Sequence, residues 1–189
     1  MKRIAIIGDI GSGKSHVAKN FGYPVFNADD EVGKLYKKNK NIFINLNKAL
    51  TKHITKFPIN KQEITKTILA SRNNLRKIIK IVHPEVRKKM NIFLNKNKKR
   101  KFVILDIPLF LENRLNKKKD VLVFVQSNRA EIFKRLKKRK NFNLKIFQKF
   151  RDIQLSSSYK KKKSHFIIKN DFKKKSVKIG IKNALKKII

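Results

Sequence analysis

The sequence predicts a three-layer α/β fold in which helices cover both faces of a parallel five-stranded sheet. Three observations carry this. Short, continuously apolar runs alternate with stretches of helical spacing, the order that builds parallel strands joined by crossover helices. The first apolar run, Ile4-Ala5-Ile6-Ile7, meets Gly8-Asp9-Ile10-Gly11-Ser12-Gly13-Lys14-Ser15, and helical spacing follows. That is the strand, loop and helix context in which Gly-x-x-x-x-Gly-Lys-Ser forms a phosphate-binding P-loop. Third, 189 residues suffice for one substantial core with inserted subdomains and need no second independent domain.

The loop reads as a phosphate cradle. Gly11 and Gly13 let the backbone curl so that successive N–H groups, including that of Ser12, point inward. The helix that follows adds its positive end. Lys14 is expected to reach the β- and γ-phosphates, Ser15 to offer its hydroxyl to Mg²⁺, and the backbone N–H of His16 to face the α-phosphate.

Composition narrows the partners. Lys and Arg number 51 against 12 Asp and Glu, a net charge of +39, which on its face suggests nucleic acid or an anionic membrane. The excess is mostly lysine and is spread along the whole chain, beside abundant Asn and Ile, 14 Phe, only 6 Gly and 4 Pro. AT-rich codons specify these types, so genomic bias explains the charge at least as well as a partner does. Weak nonspecific binding to polyanions follows either way, but no aromatic platform for bases is apparent, and no specific nucleic-acid partner is expected. The absence of Cys excludes disulfides and thiolate metal sites. No apolar stretch approaches the roughly 18 residues of a membrane helix. The first apolar run is cut by Gly8 and Asp9 before it reaches the length of a secretory core. The expectation is a cytoplasmic protein with no membrane partner, monomeric or weakly oligomeric.

Along the chain, Gly22-Tyr23-Pro24 marks a break, and Pro24 to Asn27 is a short second strand. It leads into Ala28-Asp29-Asp30-Glu31, three acids together in an acid-poor chain. Asp29 or Asp30 caps the next helix, or Asp29 faces the phosphate site as a base or metal-orienting group, since ligands of open α/β sheets bind at the carboxyl ends of strands. Residues 41–100 change to helical spacing with few strand signals, broken at Phe57-Pro58, and read as a helical insertion. Within it Pro84 suits the first turn of a new helix, with His83 at the junction and Arg87 near enough to share an anion site there, although a lone His is usually structural.

Lys101 to Asp106 is a third, buried strand. Asp106 at its end either orients Mg²⁺ through water or caps a helix ahead of Pro108. Val121 to Val125 is a fourth strand, followed by a helix carrying Ile132, Phe133 and Leu136. Arg135 and Arg139, four apart, form a phosphate fork or a solvated basic face. The segment of about 140–163, with a short amphipathic helix and the run Lys160 to Lys163, reads as a helical lid that closes over the nucleotide or as solvated surface. Phe166-Ile167-Ile168 is the fifth strand, and a terminal helix carries Val177, Ile181, Leu185 and Ile188. The nucleotide-binding core is thus expected at 1–40 and 101–189, with the substrate-binding insertion at 41–100.

No Asn-Lys-x-Asp segment appears, which disfavours a GTPase and leaves a small-molecule kinase as the better fit, ahead of a nucleic-acid-dependent ATPase. The ordered segments Gly8 to Ser15, Asn27-Ala28-Asp29, Val82-His83-Pro84, Leu105-Asp106-Ile107-Pro108-Leu109-Phe110-Leu111-Glu112, Arg135 with Arg139, and Phe166 to Asn170 resemble the dephospho-CoA kinases over nearly the whole chain. The resemblance implies ATP-dependent phosphorylation of the ribose 3′-hydroxyl of dephospho-CoA, the last step of coenzyme A synthesis. It makes Asp29 the catalytic base, gives His83, Arg87 and Glu112 to the substrate side, and places Arg139 on the lid side of the ATP site. Another nucleoside or metabolite kinase is the alternative. Two departures stand out: the family has Gly and Asp where this chain has Asp9 and Asn27. Asp9 is expected to weaken ATP binding unless its side chain turns outward.

Overall fold

The computed structural model describes residues 1–139 and 142–188. Two compact units divide it, one formed by Met1–Asn27 with Asn97–Ile189 and the other by Ala28–Lys96.

The first unit holds the sheet. Strands β1 (Lys2–Gly8), β2 (Val25–Asn27), β3 (Phe102–Asp106), β4 (Val121–Gln126) and β5 (Phe166–Lys169) are all parallel and ordered β2-β3-β1-β4-β5. Helices α1 (Lys14–Asn20) and α9 (Lys174–Ile188) pack on one face, where Val17, Ala18, Phe21, Val177, Ile181 and Ala184 meet Ile4, Ile6, Phe102, Ile104, Val123, Val125 and Ile168. The alternate residues Ala5, Ile7, Val103, Leu105, Leu122 and Phe124 are buried too. Burial on both faces is why these strands read as unbroken apolar runs rather than alternating ones. A short helix, α8 (Ser157–Lys163), packs against β1 and β4.

Beneath the sheet Arg3 and Asp120 form a buried ion pair, and Arg3 Nη2 also donates to the Leu115 carbonyl at 3.1 Å. Asp120 accepts a further bond from the Lys117 N–H at 2.8 Å. The pair ties the start of β1 to the turn ahead of β4.

The second unit is all helical: α2 (Ala28–Lys38), α3 (Lys40–Ala49), α4 (Lys61–Ala70) and α5 (Arg72–Lys96). The other three pack on α5, whose Leu75, Ile78, Val82, Val86 and Met90 recur at three- and four-residue spacing. Because α2 joins this packing, the helical unit begins at 28 rather than at 41, where the change of sequence character put it. Asparagines supply most of the caps. Asn39, Asn60, Asn128 and Asn143 each accept a bond from a backbone N–H of the following first turn, at α3, α4, α6 (Arg129–Lys137) and α7 (Leu144–Asp152) respectively. The Asn-rich composition therefore has a structural use.

Three local expectations are corrected. Pro84 opens no new helix: α5 runs straight through it, and His83 lies mid-helix rather than at a junction. The apolar stripe from Leu75 to Met90 spans the proline, and its burial outweighs the one hydrogen bond the ring removes. Asp29 and Asp30 are not caps, since α2 already begins at Ala28 and both lie in its first turn, where their charge complements the helix dipole. No helix follows Asp106, as residues 108–114 form turns, so its capping role falls away.

Candidate active site

The site is built at the carboxyl edge of the sheet. The chain leaves β1 through Gly8, Gly11 and Gly13, all at positive φ, and enters α1 at Lys14. Gly13 shows why the motif demands its residue. It sits at φ 90°, and a Cβ there would come within 2.3 Å of Asn170 Nδ2. That amide donates to the Ser12 carbonyl at 2.8 Å, while Asn170 Oδ1 accepts the Phe172 N–H at 2.9 Å. Ser127 Oγ donates to the same carbonyl at 2.9 Å. With its outward carbonyl held from the ends of β4 and β5, the loop is fixed before any ligand arrives. Pre-oriented donors are what a polyphosphate site needs.

Lys14 Nζ lies over the loop and donates to the carbonyls of Asp9 at 2.8 Å and Gly8 at 3.2 Å. Ser15 and His16 open α1 as exposed residues, with the N–H groups of its first turn directed at the loop. Its first turn holds no acid.

Asp106 closes β3 and is 3% exposed. It stands in register with Asn27 at the end of β2, and Asn27 Nδ2 donates to Asp106 Oδ2 at 2.6 Å. Here the departure at Asn27 acquires a reason: a second carboxylate at this paired position would face Asp106 as a like charge, whereas an amide gives it a donor. Glu112 accepts the Leu155 N–H at 2.9 Å through Oε1.

The arginine pair does not form a fork. Helix α6 ends at Lys137 with Lys138 as its cap, so Arg139 lies beyond the helix, exposed, and does not share its face. Arg135 instead lays its guanidinium over the Phe172 ring, 4.3 Å from the centroid. Nor are all four lysines of 160–163 solvated. Lys160 is 2% exposed and its ammonium meets Asp9 Oδ1 at 3.2 Å and Glu112 Oε1 at 3.7 Å. Two residues of the expected lid, Lys140 and Asn141, lie outside the described residues; α7 carries no fully buried side chain.

In the helical unit, Asp29 occupies the first turn of α2, two residues beyond Asn27 in the chain. His83 is half-buried on α5, and Arg87 lies one turn on. Burial, with the Arg87 charge as a lesser cause, pushes the His83 imidazole below its ordinary value and favours the neutral ring.

Sequence reasoning missed Lys160, Ser127, Asn170 and Phe172 as builders of the site. A lysine run has no periodicity to mark its one buried member. Asn170 stood at the strand's end where a loop holder belongs, but its partner Ser12 lies 158 residues away.

A parallel five-stranded sheet whose first strand enters a glycine loop, with Lys14 over the loop and an acid at the end of the neighbouring strand, defines a P-loop kinase fold. Comparison narrows the class. The family model "Dephospho-CoA kinase" matches residues 2–176. The dephospho-CoA kinase of Wolbachia pipientis wMel is 34% identical over 185 residues, covering 95% of this chain and 94% of its own. That of Bartonella henselae is 33% identical over 180 residues, covering 89% and 88%. Among solved structures, a Thermus thermophilus protein superimposes with a TM-score of 0.80 at 21% identity, covering 100% of this chain and 97% of its own. Dephospho-CoA kinase from Campylobacter jejuni gives 0.65 at 20% identity, covering 99% and 97%. At those identities the structural likeness speaks for the fold, and the sequence relatives speak for the family. The chain belongs to the dephospho-CoA kinase family and is a transferase with ATP as its phosphoryl donor. Among the described residues no helix is long and apolar enough to cross a membrane.

Proposed function

We propose that this chain transfers the γ-phosphoryl group of ATP to the ribose 3′-hydroxyl of dephospho-CoA, giving coenzyme A. The observation that carries the reading is the P-loop held rigid by Asn170 and Ser127, in a chain that matches the family model over residues 2–176. Transfer is in line and needs little covalent help from protein, so the work is positioning and charge neutralisation. Gly11, Ser12, Gly13, Ser15 and His16 present backbone N–H groups to the phosphates. Lys14 exchanges its two loop carbonyls for β- and γ-oxygens, and its charge counters what develops on the transferring group.

Asp29 accepts the proton of the substrate hydroxyl or fixes that hydroxyl in line. His83 and Arg87 take the CoA moiety on the helical unit, Arg87 as the cation and neutral His83 as a hydrogen-bonding ring. Glu112 serves the substrate side through Oε2, its Oε1 being held by Leu155 and Lys160. Arg139 closes on the nucleotide from the lid side.

The donor set suits Mg²⁺. Ser15 and Asp106 are hard oxygen donors, and the described residues contain no group of three or more His, Cys, Asp or Glu able to hold a metal by themselves. Mg²⁺ is typically held by one or two protein oxygens together with substrate phosphates and water. When bound there it would neutralise charge on the phosphate oxygens. We place the reaction in the cytoplasm, the compartment that supplies ATP, with no specific nucleic acid or membrane taking part.

The test is release of ADP by the purified protein, with Mg²⁺ and ATP, on dephospho-CoA and on a panel of nucleosides and small metabolites. Turnover confined to dephospho-CoA is expected. Lys14→Ala and Asp29→Asn should each lower kcat by about 10²–10⁴-fold while leaving the melting temperature within a few degrees of the unsubstituted protein. Near-normal turnover by either variant removes that residue from its role, and preference for another acceptor overturns the substrate.

A further inference from the structure

The P-loop carries an acid, Asp9, at the position where it should repel the phosphates it is built to hold. The structure shows where that charge goes. Asp9 Oδ1 meets the Lys160 ammonium at 3.2 Å, and Asp9 Oδ2 accepts a hydrogen bond from Ser157 Oγ. Both partners come from α8, the short helix packed against β1 and β4. Lys160 is among the most deeply buried large side chains of the protein, and its ammonium also faces Glu112 Oε1 at 3.7 Å. Glu112 in turn fixes the Leu155 N–H just ahead of α8. The other end of Asp9 is engaged as well, because its carbonyl accepts Lys14 Nζ at 2.8 Å.

A buried lysine is retained only when paired, and two carboxylates here share one ammonium. Remove the ammonium and Asp9 and Glu112 are left as like charges beside a polyanion site. Remove the Asp9 charge and Lys160 keeps Glu112, so the need for Lys160 at the loop disappears. We propose that Asp9, Ser157 and Lys160 form a clasp that fixes α8 on the P-loop and turns the Asp9 carboxylate away from the phosphate cradle, making Lys160 a positioning residue for nucleotide binding. Lys160 acts through Asp9 and touches no reacting atom.

This rests on the P-loop reading above, but its test needs no turnover and no acceptor. ATP affinity is measured by calorimetry for the unsubstituted protein, Asp9→Asn, Lys160→Met and the double variant. Asp9→Asn is expected to bind ATP at least as tightly as the unsubstituted protein. Lys160→Met is expected to weaken binding by about tenfold or more, and the double variant to return to within about threefold of Asp9→Asn, the signature of two residues that act as one. An equal loss from Lys160→Met in both backgrounds overturns the proposal, since Lys160 would then act independently of Asp9.

A second measurement decides the matter if Lys160→Met does not fold or if ATP does not bind at all. Amide exchange of residues 157–163 is compared between the unsubstituted protein and Asp9→Asn without nucleotide. Faster exchange by about fivefold or more supports the clasp, and unchanged exchange overturns it. Absence of ATP binding with faster exchange would refute the kinase reading alone.

Discussion

Replacing Gly13 by Ala separates backbone strain from loop anchoring, because a second glycine supplies the control. Gly13 and Gly22 both stand at positive φ, 90° and 75°. Each Ala variant therefore incurs a conformational cost of about 1–2 kcal/mol, offset in part by lower unfolded-state entropy. At Gly22 an added Cβ meets nothing within 4 Å, so that is the whole effect. At Gly13 it would approach Asn170 Nδ2 to 2.3 Å and displace a side chain that is 2% exposed. Displacement breaks the bonds to the Ser12 carbonyl and the Phe172 N–H, each worth about 1 kcal/mol. The strain cancels in the comparison, leaving Gly13→Ala about 2 kcal/mol less stable than Gly22→Ala. For a chain of this length that is about 4–8 °C in melting temperature, read by calorimetry or circular dichroism. Gly13→Ala should also lose ATP affinity, while Gly22→Ala keeps it. Equal melting temperatures would refute the view that Asn170 anchors the loop through this contact.

Two further outcomes follow from the same structure. Asp120→Ala leaves Arg3 charged and buried without its partner, which costs about 3–5 kcal/mol, or about 6–20 °C of melting temperature, whereas the double replacement Arg3→Met with Asp120→Leu should recover most of it. The lowered pKa of His83 means that the unfolded chain binds its proton more readily than the folded one. This residue's contribution therefore raises stability as pH climbs from the lowered folded value through 6.5, and it is lost as pH falls through that window. His83→Gln should flatten the stability profile there, and dephospho-CoA should raise the His83 pKa observed by NMR if its phosphates bind beside the ring.

The strands were legible because burial on both faces leaves a local signature: Val103-Ile104-Leu105 and Val121-Leu122-Val123-Phe124-Val125 are apolar without interruption, and the five expected strands match β1 to β5 to within two residues at each end. The P-loop was legible because its chemistry is contiguous. What failed was whatever depends on distant partners. Pro84 carried a real local preference, overridden by the buried stripe of α5. Arg139 had the right spacing from Arg135, but α6 stops two residues before it. Asn27 looked like the loss of an acid until its register with Asp106 showed an amide donor to a buried carboxylate. Lys160 was hidden among identical neighbours, and only the folded positions of Asp9 and Glu112 distinguish it.

The central claim is tested most directly by the product. Purified protein is incubated with ATP, Mg²⁺ and dephospho-CoA, and the acceptor is recovered and examined by mass spectrometry and ³¹P NMR, with Lys14→Ala alongside. The expected result is one added phosphoryl group on the ribose 3′-hydroxyl, formed by the unsubstituted protein and not by the variant. Dephospho-CoA recovered unchanged while ATP is consumed would contradict it.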